Sequence, residues 1–143
     1  AGLGKSTIVL GGGLVGCEAA ADYIDHGVET TIVEMKGALM PETTGLYRTA
    51  VHDFIDKNGG KYEVNAKVKV GKDFVVAEQN GTEITIKADS VVNAMGRRAH
   101  ATEALEVAIK EAGIPVWKIG DCVRARQIGD AVREGWTAAM EII

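Results

Sequence analysis

Four residues carry the plainest chemical signal: Gly11, Gly13, Gly16 and Glu34. The glycines are spaced G-x-G-x-x-G. Placed after a strand and opening a helix, such a loop offers backbone amides to a phosphate, with the positive helix end behind them. Gly11 turns the chain tightly, Gly13 lets a pyrophosphate approach the backbone, and Gly16 lets the helix sit close to the sheet. The amides around Leu14 and Val15 would point at the phosphates. Glu34 lies eighteen residues past Gly16, close to the roughly 20 expected for an acid that grips a ribose.

The flanking pattern supplies the elements that such a site needs. Ser6 to Leu10 is a short β-branched run suited to a buried parallel strand. Cys17 to His26 has apolar residues at helical spacing, stopped by Gly27. Glu29 to Glu34 reads as a second strand ending in the acid. A competing glycine run, Gly4-Lys5-Ser6, resembles the end of a nucleoside-triphosphate loop. That loop must follow a strand and open a helix, whereas here Ile8-Val9-Leu10 and three glycines follow. The dinucleotide reading therefore stands. A fixed negative charge at Glu34 would repel a 2′-phosphate, so NADH is expected over NADPH. Lys36 would soften that preference, or is simply a solvated loop lysine.

Downstream, a helix capped by Thr43 or Thr44 is expected to run to Lys57. Strands follow at Lys61–Val70, Asp73–Glu78 and Glu83–Lys87, the last two joined by Asn80-Gly81, a strong hairpin signal. Ser90 to Met95 is another strand, Glu103 to Ala112 a helix, Pro115 to Ile119 a strand and Gln127 to Ile142 a final helix.

The 143 residues, 46% hydrophobic and 25% charged, suit a chain with a real core. A net charge of −4 argues against nucleic-acid or anionic-membrane partners. No apolar run approaches the ~20 residues of a membrane span, and a cytoplasmic location is expected. The first residue is not Met, which suggests a piece of a longer protein. Cys17 and Cys122 form no CxxC, and the three histidines, His26, His52 and His100, form no ligand pattern, so no metal site is expected.

A βαβαβ unit interrupted by a meander and returning to a strand that ends AMGRR resembles the NAD(P)H-binding domain of two-dinucleotide flavoproteins, the pyridine-nucleotide disulfide oxidoreductase superfamily. GGGLVGCEAA, TIVEM, AMGRR and IGDCVRARQIGDAVREG look most like the C-terminal part of the 2,4-dienoyl-CoA reductase and NADH:flavin oxidoreductase group. The resemblance implies an α/β, Rossmann-like three-layer fold with a parallel sheet and an antiparallel β-meander insertion. Residues 1–98 would be the NADH-binding domain and residues 99–143 the C-terminal segment of an incomplete FAD-binding domain. Gly11, Gly13, Leu14, Val15 and Gly16 would hold the NADH pyrophosphate and Glu34 the ribose.

Glu18 matches a family glutamate beside the nicotinamide, or is a first-turn acid favoured by the helix dipole. Val68 matches a backbone position under the adenine, or is a plain strand valine. Gly96 would admit the nicotinamide half, and Asp121 would bind the FAD ribityl chain, or caps a turn. Where the family continues with Pro and Asn after the arginines, Ala99 and His100 stand here.

The implied enzyme passes hydride from NADH to FAD. No catalytic residue is assigned in this chain, FAD is expected only in the parent protein, and the isolated chain is expected to be inactive. FMN and an iron–sulfur cluster, if the parent has them, lie outside this chain. The expected partner is the missing FAD domain; in its absence the last helix would dock on the NADH domain or pair in a homodimer. The alternatives are the NADH domain of a ferredoxin reductase or NADH oxidase, and a non-enzymatic dinucleotide-binding module.

Overall fold

A computed structural model describes residues 2, 4–71 and 74–142. The chain divides into two compact units, Ala1–Gly96 and Arg97–Ile143.

The first unit is built around a parallel four-stranded sheet in the order β3-β2-β1-β7, from β1 (Ser6–Leu10), β2 (Glu29–Val33), β3 (Lys61–Glu63) and β7 (Ser90–Asn93). β1 lies at its centre, with Val9 opposite Ile32 and Leu10 opposite Val33. Side chains alternate across a strand, and both faces of β1 are covered. Val9 joins Cys17, Ala20, Ile32, Leu39, Met40 and Ile55 under the helices α1 (Leu14–Asp25) and α2 (Leu46–Lys57). Ile8, Leu10 and Val33 instead join Ala66, Val75 and Ala77. These last three belong to a separate antiparallel meander of β4 (Ala66–Val70), β5 (Val75–Gln79) and β6 (Thr82–Ile86). The result is three layers: helices, parallel sheet and meander.

Several boundaries differ from the sequence reading. Lys61–Val70 is two strands, not one. The break is at Asn65, which takes φ +54° and carries the chain from the parallel sheet into the meander. Asn tolerates this left-handed conformation better than a branched residue would. α2 starts at Leu46 behind Gly45 (φ +81°), with no side-chain cap, so neither Thr43 nor Thr44 caps it. α1 starts three residues earlier than the apolar spacing suggests. The strand expected at Asp73–Glu78 is found as Val75–Gln79; Asp73 itself lies outside the described residues.

The second unit holds α3 (Glu103–Glu111), a 3-10 turn at Gly120–Cys122 and α4 (Ile128–Ile142). Residues 115–119 form no strand, against expectation. A strand needs a neighbour to take its backbone groups, and among the described residues this segment has no ladder partner. Lys118 is held by Glu106 at 2.9 Å, and the Nε1–H of Trp117 donates to Glu141 at 2.9 Å. Ile128, Val132, Trp136 and Met140 recur at four-residue spacing on α4 and are all exposed. No helix among the described residues is long and apolar enough to cross a membrane.

Candidate dinucleotide site

The site forms where β1 ends and α1 begins. Gly11 takes φ +103°, and a Cβ there would lie 2.5 Å from the Ala94 carbonyl oxygen. Gly16 is still tighter: its Cβ would lie 1.9 Å from the Gly11 oxygen. Both glycines are required by the close approach of β1, α1 and the end of β7. Gly13 differs. Nothing lies within 4 Å of its would-be Cβ, and its backbone (φ −72°, ψ −176°) is open to any residue. The space beside Gly13 is open.

Gly13 is also the N-cap of α1, and no side chain caps the helix. The first intrahelical bond runs from the Cys17 amide to the Gly13 carbonyl at 3.0 Å. The amides of Leu14, Val15 and Gly16 thus have no acceptor within the helix. They form a ready anion cradle, and no acidic side chain in the first turn competes for it.

Glu34 follows β2 and is 9% exposed. Its Oε2 accepts the Gly12 amide at 2.6 Å and its Oε1 accepts the Lys36 amide at 2.7 Å. An ionised carboxylate has about four acceptor positions, so these two bonds fix its orientation and leave capacity for more. Its backbone is fixed too: the Glu34 amide donates to Glu63, and its carbonyl accepts from Ala66 at 2.9 Å. The break at Asn65 makes this possible, because the chain crosses between the sheets directly beside Glu34.

Gly12 was not singled out in the sequence, yet it ties the site together. Besides donating to Glu34, it accepts the Met40 amide at 2.7 Å and the Cys17 thiol at 3.3 Å. A Cβ on Gly12 would strike Leu39 at 2.5 Å. Its only sequence signal is its place inside the motif. Burial, followed by the negative charge of Glu34, pushes the Cys17 thiol up to about 11. Cys17 is therefore a structural group, protonated at neutral pH.

Gly11, Gly13, Glu34, Val68 and Gly96 all line one cavity of about 590 Å³, together with apolar walls from Val33, Met35, Ala66 and Met95. Lys36 and Lys67 are its two lining cations. Gly96 takes φ +91° with open space around it. Leu14 and Val15 lie in the exposed first turn, and Gly16 acts by packing beneath the loop. Glu18 sits past that turn, so the dipole reading of it fails. Its carboxylate instead accepts the Tyr47 hydroxyl of α2. Asp121 belongs to the second unit, where it accepts the Arg126 amide at 3.3 Å and lies 4.0 Å from the Arg97 guanidinium. Among the described residues no cluster of His, Cys, Asp or Glu could hold a metal ion.

A family model for pyridine nucleotide-disulphide oxidoreductases matches residues 1–135. The chain belongs to that family. Family members use FAD and NAD(P)H. A bilirubin reductase of Mediterraneibacter gnavus is 31% identical over 134 residues, covering 92% of this chain and 21% of that protein. An NADH oxidase of Thermoanaerobacter brockii is 30% identical over 140 residues, covering 96% of this chain and 21% of the relative. The fold matches a 2-naphthoyl-CoA reductase with a TM-score of 0.75 at 26% identity, over 95% of this chain and 21% of the other. The chain thus spans about a fifth of the length of these relatives. The oxidoreductase family assignment agrees with the glycine loop and Glu34, which sit together in one cavity.

Proposed function

We propose that residues 1–98 form the NADH-binding domain of a flavin-dependent oxidoreductase, and that residues 99–143 are the C-terminal segment of its FAD-binding domain. Within the family, the reading closest to the motifs is an NADH:flavin oxidoreductase of the 2,4-dienoyl-CoA reductase type. In the parent enzyme NADH supplies a hydride and FAD accepts it. This chain's residues bind and orient. The uncapped amides of Leu14, Val15 and Gly16 take the pyrophosphate, which enters through the space beside Gly13. Glu34 accepts the adenosine ribose hydroxyls on its remaining lone pairs. Met35, Val68 and Met95 give apolar cover to the adenosine half, and Gly96 leaves room for the nicotinamide half.

One observation carries the reading: a carboxylate held by two backbone amides lines the same cavity as the glycine with open space in place of a side chain.

The uncapped glycine loop at the start of α1 is assigned to NADH. FAD is therefore assigned to the parent protein and not to the isolated chain, which would be inactive by itself. The exposed stripe on α4 supports a partner in the rest of that FAD domain, with a homodimer of the isolated chain as the substitute. The relative named as an NADH oxidase favours one second reading, the same domain in an enzyme that ends on another acceptor.

Calorimetric titration with NADH and NADPH tests the proposal. NADH should bind more tightly, and the purified chain should be colourless and release added FAD on desalting. Equal or tighter NADPH binding would refute the role of Glu34. Stoichiometric FAD would assign the Gly11 loop to flavin.

A further inference from the structure

The cavity carries two cations beside Glu34, so rejection of a 2′-phosphate cannot rest on Glu34 alone. Lys36 follows Glu34 by two residues, and its own amide is bonded to the Glu34 carboxylate at 2.7 Å. Its ammonium group, however, donates to Glu42 at 2.6 Å. Glu42 lies on the loop between β2 and α2, and that loop is firmly anchored. Leu39 and Met40 are each 1% exposed, the Met40 amide is bonded to Gly12, and Arg48 Nε donates to the Leu39 carbonyl at 3.2 Å. Glu42 is thus presented to Lys36 by a loop fastened to the phosphate cradle itself. The bond to Glu42 also holds the Lys36 ammonium above its ordinary pKa.

We propose that Glu42 is a specificity-positioning residue that occupies Lys36 and so withholds it from the 2′-phosphate of NADPH. The inference rests on the NADH reading of the site. Glu34 repels the extra phosphate directly, while Glu42 removes a cation that would otherwise compensate. Lys67 also lines the cavity, but the ion pair that Glu42 forms at 2.6 Å is with Lys36.

The pair is solvent-exposed, with side chains 52% and 85% accessible, so salt weakens it and its effect is modest. Freeing Lys36 should tighten NADPH relative to NADH by about two- to fivefold at low salt, the scale of an exposed ion pair.

The test measures Kd for NADH and NADPH by calorimetry on the wild type, Glu42→Gln, Lys36→Gln and the double variant. The proposal requires that Glu42→Gln lower the NADPH-to-NADH Kd ratio in the wild-type background and leave it unchanged in the Lys36→Gln background. Thermal midpoints of the variants, read alongside, separate this from a merely structural role, which would not move the ratio. A ratio unaffected by Glu42→Gln overturns the proposal. So does an equal change in both backgrounds, because the effect would then be a general loss of negative charge. A wild type that binds neither dinucleotide refutes the NADH reading, and the inference falls with it.

Discussion

Gly13→Ala separates ligand space from folding more cleanly than any other change in the loop. Its methyl group would meet nothing within 4 Å, and φ −72° with ψ −176° is an ordinary conformation for alanine. Two small folding effects oppose each other. Alanine restricts the unfolded chain, worth about 0.4–1 kcal/mol of added stability. It is also a poorer N-cap than glycine, at a cost of up to about 1 kcal/mol. The net should stay within about 1 kcal/mol, a few degrees in Tm at this size. Binding is another matter. The methyl group would stand where a phosphate must come within hydrogen-bond distance of the first-turn amides. A tenfold loss of NADH affinity corresponds to only about 1.4 kcal/mol, and losing one charge-assisted bond of about 1.5–3 kcal/mol exceeds that. Gly16→Ala gives the opposite pattern: its Cβ would lie 1.9 Å from the Gly11 oxygen, so the fold should lose about 3 kcal/mol. The assay is thermal denaturation and calorimetric NADH titration on both variants. A Gly13→Ala protein that binds NADH like the wild type, or that is as destabilised as Gly16→Ala, would refute the assignment of that space to a ligand.

Three further outcomes follow from the same geometry. Glu34→Gln keeps one acceptor and turns an amide N–H toward one of the two backbone donors, so it should cost about 2–3 kcal/mol in urea denaturation as well as weakening NADH; unchanged stability would contradict the two bonds to Gly12 and Lys36. Asp89 is held below the usual carboxylate range by the Lys5 amide, then by the Ser6 amide and hydroxyl. With a depressed folded pKa, its contribution is complete above its unfolded value and is lost as pH falls through the folded one. The stability gap between wild type and Asp89→Asn should therefore shrink between pH 7 and pH 3, and a gap that widens would reverse the sign. Finally, a disulfide-exchange reagent at pH 8 should titrate one native thiol, exposed Cys122, and reach buried Cys17 only in denaturant; two fast thiols would contradict the burial of Cys17.

Much of the site was legible because its determinants are local. Strand, turn, helix and strand follow one another between Ser6 and Glu34, and each glycine's task can be deduced from adjacent backbone. The parts that escaped depend on partners far along the chain. Tyr47 reaches Glu18 across 29 positions, and Met40 reaches Gly12 from the next loop. The break at Asn65 was invisible because apolar alternation continues through it, and alternation reports the face of a strand rather than the sheet it joins. Residues 115–119 show the converse error. Their composition suits a strand, but β-propensity is realised only against a neighbour, and none pairs with them among the described residues.

Gly12 shows most directly why a motif conveys more than its spacing states. Each glycine of the trio has one task of its own, yet the residue between the first two carries the connections. Its amide orients Glu34, its carbonyl fixes the β2–α2 loop through Met40, and the absence of a Cβ admits Leu39. The phosphate cradle, the ribose acid and the loop bearing Glu42 are therefore mechanically one piece. A substitution at Gly12 would displace all three together, whereas Gly13→Ala obstructs only the space beside the cradle and Glu42→Gln alters only the charge at its edge. The first would register in folding and binding alike, the second in affinity and the third in the choice of dinucleotide.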